Sequence, residues 1–199
     1  MNNKIKTICI FASSSSCIDK KYFAAAKELG IEIAKNHYNV IYGGSNCGLM
    51  GEATSAAKQN GSEITGVMPE KLHSLGIDHG DCTKFIMTKG MRERKAKMDE
   101  LSEALIALPG GFGTLEELSE MLVQKQLGYS NKPIVLLNTD GFYDGLIKFF
   151  DEIIDKNFAT KNSKELYYVA RTPQDALLYI NNYEFRQTNY ITEKLLIKS

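Results

Sequence analysis

At 199 residues, with 43% hydrophobic and 24% charged content, the chain has the composition of a globular protein with one sizeable core. Its formal net charge of zero argues against a polyanionic partner such as nucleic acid. The apolar run Ile8–Ala12 is too short for a membrane span or a signal-peptide core, so a cytoplasmic protein is expected. The four cysteines, Cys9, Cys17, Cys47 and Cys82, form no C-x-x-C pair and no zinc spacing, which points to free thiols.

In chain order, Ile5–Phe11 is apolar on both parities, as in a central strand of a parallel sheet. The small-residue turn Ser13–Ser16 follows, and then a helix from about Asp19 to Asn36 with Tyr22, Phe23, Ala26, Leu29 and Ile33 along one face. Asn39–Tyr42 reads as a second strand, ending in the glycine-rich turn Gly43–Gly48 ahead of a helix that Asn60-Gly61 stops. Ile64–Met68 is a strand, Pro69–Asp81 an irregular loop, Phe85–Thr88 a strand and Met91–Leu101 a short helix. The strand Ala104–Leu108 runs into Pro109-Gly110-Gly111-Phe112-Gly113-Thr114 and a helix ending near Gly128. Ile134–Leu137 is a further strand and Phe142–Ile154 an amphipathic helix, and Thr172-Pro173 starts the last helix with Thr as N-cap. This alternation predicts one α/β domain over residues 1–182, an open parallel sheet with helices on both faces, and a tail over 183–199. Three turns that follow strands, Ser13–Ser16, Gly43–Gly48 and Gly110–Gly113, are expected on one sheet edge, forming a composite nucleotide pocket.

Two segments carry chemistry. The Gly110–Gly113 turn lets backbone approach a ligand, and the first N–H groups of the following helix lie at the positive end of its dipole, which suits a phosphate. Thr114 and Glu117 are also spaced as a capping box, which would only stabilise the helix start. The turn is neither the dinucleotide fingerprint, which disfavours an NAD-dependent oxidoreductase, nor a Walker loop. In the Met91–Leu101 helix, Met91, Met98 and Leu101 form one face with Arg94 inside it and Lys95 at its edge, while Glu93 and Lys97 are spaced for a solvent pair. An inward guanidinium needs an anion, either an internal carboxylate or a ligand's phosphate. The Asp78–Cys82 stretch and its neighbouring histidines lack recognised ligand spacing, so no metal site is assigned.

The pair M-R-E-R-K and P-G-G-F-G-T-L-E-E resembles the signature of the Lonely Guy phosphoribohydrolase family, whose members are often mislabelled lysine decarboxylases. Gly43-Gly44-Ser45-Asn46-Cys47-Gly48-Leu49-Met50-Gly51 is similar to that family's G-G-x-x-x-G-L-M-G. The resemblance implies a Rossmann-like homodimer without a cofactor that splits AMP or an N6-substituted AMP into free base and ribose 5-phosphate. It implies Arg94 and Glu117 as the catalytic pair, with Ser14, Gly44, Met91, Lys95, Gly110, Gly111, Gly113 and Thr114 binding substrate and phosphate. Glu117 is expected to be ionised, favoured by Arg94 and the helix dipole. The chain departs from the family pattern at Arg92, where a histidine is usual, and at Ala12 and Ser13 in the first turn. A pyridoxal-dependent decarboxylase needs a Schiff-base lysine, and no lysine is marked for that role. The alternative from another class is a carrier or sensor that binds the nucleotide without hydrolysing it.

Overall fold

The computed structural model describes residues 5–77 and 82–184. The predicted tail beyond Glu184 and the Asp78–Asp81 part of the histidine loop lie outside the described residues.

Strands β1 (Thr7–Phe11), β2 (Asn39–Tyr42), β3 (Ile64–Pro69), β4 (Lys84–Thr88), β5 (Ala104–Ala107), β6 (Ile134–Leu137) and β7 (Tyr168–Ala170) form a seven-stranded sheet in the order β4-β3-β2-β1-β5-β6-β7. Every pairing is parallel. The helices between and after them are α1 (Lys20–Lys35), α2 (Gly48–Gln59), α3 (Glu70–Ser74), α4 (Met91–Glu100), α5 (Phe112–Gln126), α6 (Asp144–Asp155) and α7 (Pro173–Asn181). Strand β1 is apolar on both parities because each parity has its own helical layer. Ile8 and Ile10 pack with α1, α2 and α7, through Leu29, Ile33, Leu49 and Ile180. Cys9 and Phe11 pack with α4 and α5 through Met98, Leu118 and Met121. The chain order reverses between β1 and β5, and ligands of open parallel sheets bind at such a switch point, outside the strands' carboxyl ends.

Helix ends follow local rules. Asp19 caps α1 by accepting from the Lys21 N–H, and Thr172 caps α7 by accepting from the Asp175 N–H. Helix α5 closes on a Schellman turn, in which the Gly128 N–H donates to the Lys125 carbonyl and the Tyr129 N–H to the Gln124 carbonyl.

The structure departs from the sequence reading at four points. The stretch after Pro69 is not wholly irregular, since Glu70–Ser74 forms α3, a single turn with no buried residue and hence no apolar period to read. Strand β7 and the 3-10 segment Lys161–Leu166 ahead of it carry no sequence pattern long enough to announce them. On α4 the face is not an apolar stripe, because only Arg94 and Met98 are buried, while Met91 is 45% exposed and Leu101 36% exposed. Nor do Glu93 and Lys97 pair. Lys97 reaches Glu100, and Glu93 accepts from the Lys89 backbone N–H, closing the turn that leads into α4.

Candidate active site

The site begins with Arg94 in the first turn of α4, 7% exposed. A guanidinium at that depth needs acceptors, and it has them from two directions. Its Nε donates to the Val67 carbonyl on β3 at 3.1 Å, and its Nη1 donates to Glu117 Oε1 on α5 at 3.0 Å. Met91 stands one turn before it, with Sδ 4.0 Å from Nη1. Removing one partner of such a buried pair strands the other charge, at about 3–5 kcal/mol.

Glu117 is itself only 8% exposed. Burial pushes its carboxyl above the usual range, and the opposing pull of Arg94 does not cancel that. Desolvation is the largest of these influences and Arg94 the next, acting in the opposite direction. The capping-box reading is also overturned. Helix α5 starts at Phe112 with Gly111 as N-cap and no side-chain cap bond, so Thr114 lies inside the helix and Glu117 points to Arg94.

The glycine turn is built in two halves. A Cβ on Gly110 would stand 2.1 Å from the hydroxyl of buried Thr114, so Gly110 is small because Thr114 packs on it. A Cβ on Gly111 or Gly113 would meet nothing within 4 Å, which leaves the backbone there open to a ligand. The first intrahelical bond of α5 runs from the Leu115 N–H to the Gly111 carbonyl, so the N–H groups of Phe112, Gly113 and Thr114 precede the ladder. They lie at the positive end of a 15-residue helix, a cradle whose geometry suits an anion.

The start of α2 differs. The Leu49 and Met50 N–H groups both donate to the Ser13 carbonyl, at 2.9 and 3.4 Å. The Ser13 N–H in turn donates to the Pro109 carbonyl at 3.2 Å, which ties the first, second and third turns together on one edge. Tyr143 adds a buried hydroxyl bond to the Leu108 carbonyl at 2.6 Å, fixing the end of the strand that feeds the glycine turn. Gly44 is buried with a φ of +80°, packed on Met68. Ser14 is exposed.

Lys95, on α4, is paired with two carboxylates. Its ammonium lies between Glu116 and Glu120 of α5. Burial lowers its pKa, but the two carboxylates more than offset this and leave it above the ordinary value. The spacing of Glu116 and Glu120, one helical turn apart, was the available signal for this clamp. The Val67 carbonyl that holds Arg94 had none, being backbone. A cavity of about 1040 Å³ runs from the first and second turns along α1 and α2, lined by Ser16, Phe23, Cys47, Gly48, Glu52 and Lys58 and without Arg94 or Glu117. Among the described residues no cluster of three or more His, Cys, Asp or Glu could hold a metal ion. No described helix is long and apolar enough to cross a membrane.

One lysine missed in the sequence is unusual. Lys125 is 2% exposed, its amino group has no hydrogen-bond partner among the described residues, and burial pulls its pKa down to about 8. Its Nζ lies 5.0 Å from the Tyr183 ring centroid. It stands eleven residues after Thr114 on the same helix, a displacement of roughly 16 Å at 1.5 Å per residue, so this amine is remote from the cradle.

A parallel sheet covered by helices on both faces, a glycine turn opening a helix and a buried Arg–Glu pair beside it define a Rossmann-like protein with an open helix start at the strands' carboxyl ends. The family description "Possible lysine decarboxylase" matches residues 50–180. Cytokinin riboside 5'-monophosphate phosphoribohydrolase LOG7 of Arabidopsis thaliana is 36% identical over 194 residues, covering 98% of this chain and 89% of the relative. Cytokinin riboside 5'-monophosphate phosphoribohydrolase LOG of Oryza sativa subsp. japonica is 35% identical, covering 91% of this chain and 75% of that one. Among solved structures, the molybdenum cofactor binding protein of Rippkaea orientalis superposes with a TM-score of 0.68 at 23% identity, over 90% of this chain and 97% of that one. The structural-genomics target TM1055 gives 0.69 at 18%, over 89% and 99%. At those identities the two structures establish the shared fold. The chain belongs to the Lonely Guy family of cytokinin riboside 5'-monophosphate phosphoribohydrolases.

Proposed function

We propose that the protein is a phosphoribohydrolase that cleaves the N-glycosidic bond of a nucleoside 5'-monophosphate, either AMP or an N6-substituted cytokinin nucleotide. The observation that carries this is the buried Arg94–Glu117 contact of 3.0 Å beside an open helix start whose Gly111 and Gly113 leave room for a ligand. In the reaction the C1'–N9 bond breaks with its electrons passing to the purine, and a water oxygen bonds C1'. The water's proton ends on the base, and the products are free base and ribose 5-phosphate. The 5'-phosphate sits on the Phe112–Thr114 N–H groups, with Gly110, Ser14, Gly44 and Met91 around the nucleotide. Lys95 joins the phosphate by leaving the Glu116–Glu120 clamp, exchanging one pair of anions for another.

As the leaving purine gains negative charge, the ribose gains positive charge. An ionised Glu117 stabilises the oxocarbenium-like state and positions the water, while Arg94 holds the carboxylate and neutralises the crowded anions. Incubation with AMP and with isopentenyl-AMP is expected to release free base and ribose 5-phosphate. Glu117→Gln is expected to keep AMP binding and lower turnover by about 100-fold or more. Binding without release by the wild type would make the protein a nucleotide carrier instead.

The protein acts as a cytoplasmic homodimer in this reading. Apolar side chains exposed along α5 and α6, Leu115, Val123 and Phe149, support a self-association surface. Light scattering at twice the 22.2 kDa chain mass is the expected result, and a monomer would remove the dimer.

A further inference from the structure

Gly43 is the first residue after β2, buried and directly beneath the Arg94 side chain. A Cβ built on it would stand 1.9 Å from Arg94 Nη2 and 3.1 Å from Cζ, with Met50 Sδ next at 3.3 Å. No backbone atom is among these three neighbours. Gly43 is also absent from the glycines with positive φ, which include its neighbour Gly44. Its backbone conformation is thus open to alanine, and what a methyl group there would displace is the guanidinium.

The guanidinium is held from three sides: the Val67 carbonyl at Nε, Glu117 at Nη1 and the bare Gly43 Cα against Nη2. We propose that Gly43 is a positioning residue of the active site, the seat whose missing side chain lets Arg94 lie between Val67 and Glu117. This rests on the phosphoribohydrolase reading for its kinetic consequence, though not for its geometry. A methyl group at Gly43 moves the guanidinium away from Glu117. Of the charged groups acting on the Glu117 carboxyl, Arg94 and Lys95 lower its pKa and Glu116 raises it. Loss of the Arg94 contact therefore carries the Glu117 titration upward, a readout that simple loosening of the fold does not reproduce.

The test compares wild type, Gly43→Ala and, as a control, Gly145→Ala, an exposed α6 position where a Cβ meets nothing within 4 Å. The Glu117 carboxyl carbon is followed by NMR across pH, its signal identified by its loss in Glu117→Gln, and AMP hydrolysis is measured alongside. Gly43→Ala is expected to raise the Glu117 pKa and to lower kcat on the order of 100-fold, as for an ångström-scale misplacement, while Gly145→Ala changes neither. In an Arg94→Ala background, where nothing is left to collide, adding Gly43→Ala is expected to change nothing further. An unmoved Glu117 titration in Gly43→Ala, or an equal added loss in the Arg94→Ala background, overturns the proposal. Should Gly43→Ala fail to fold, folding of the Gly43→Ala/Arg94→Ala double variant supports the collision, and its failure overturns it. A wild type that hydrolyses no nucleotide defeats the functional reading alone, since the NMR titration still decides the role of Gly43.

Discussion

Arg94 and Glu117 were legible as a pair through the family resemblance, but their geometry was not. The helical projection of M-R-E-R-K placed Arg94 inward, and the family signature supplied Glu117; nothing in one dimension placed them 3.0 Å apart. Burial of that contact has a pH consequence. Glu117 has a raised pKa and acts in its ionised form, so activity is expected to fall as pH drops through a value above the ordinary carboxylate range. The acid limb of kcat/KM for AMP checks this, and a limb at the usual glutamate pKa would contradict it. Arg94→Ala should move the same limb to still higher pH, because the cation that favours the carboxylate is gone. It should also weaken AMP binding.

At the scale of elements, the sequence disclosed the helices whose ends are written in local chemistry. Asp19 and Thr172 cap α1 and α7 as their residue types predict, and Gly128 sits in the left-handed turn that ends α5. It misled where a spacing had two uses: Thr114 and Glu117 are three apart, as in a capping box, yet Gly111 takes the cap position and frees the carboxylate for Arg94. Close packing between elements left no such trace. Gly30 lies inside α1, where Gly→Ala on an open helix surface would add about 1 kcal/mol of stability. Here a Cβ would stand 2.2 Å from the Ala53 carbonyl oxygen and 2.8 Å from the Ala57 nitrogen of α2, backbone atoms that cannot turn aside. Gly30→Ala is therefore expected to destabilise by about 1–3 kcal/mol, read from denaturant unfolding. Lys125 carries the opposite sign. Its folded pKa of about 8 lies below the 10.5 of an ordinary lysine, so its contribution to stability is full above the unfolded pKa and is lost as pH falls through 8. Lys125→Met is expected to raise Tm at pH 7, by a free energy on the order of 3 kcal/mol at most, and to have little effect near pH 11. An unchanged or lowered Tm at pH 7 would show that the amine is compensated.

At the scale of the whole molecule, a parallel sheet brings its strand ends to one edge, and the site takes a backbone group from the end of β3 and residues from the turns and helices after β2, β4 and β5. That collection was foreseeable from alternating strands and helices, as was the suitability of the Gly110–Gly113 turn for a phosphate; the Ser13 carbonyl at the start of α2 was not. Two helices at this edge begin after glycine-rich turns, and one of them is already occupied. The Ser13 carbonyl fills the start of α2 with the protein's own oxygen, whereas α5 begins free. On the proposed reading the edge offers one terminal docking point for a phosphoryl group rather than a track of them. A nucleotide with a longer polyphosphate chain brings further charge toward Glu117 and the Glu116–Glu120 clamp without a second helix start to receive it. In competition against AMP hydrolysis, inhibition is accordingly expected to weaken from AMP analogues to ADP and again to ATP. Equal inhibition by all three would mean that the edge counts charges differently, with the β2 turn as a second port.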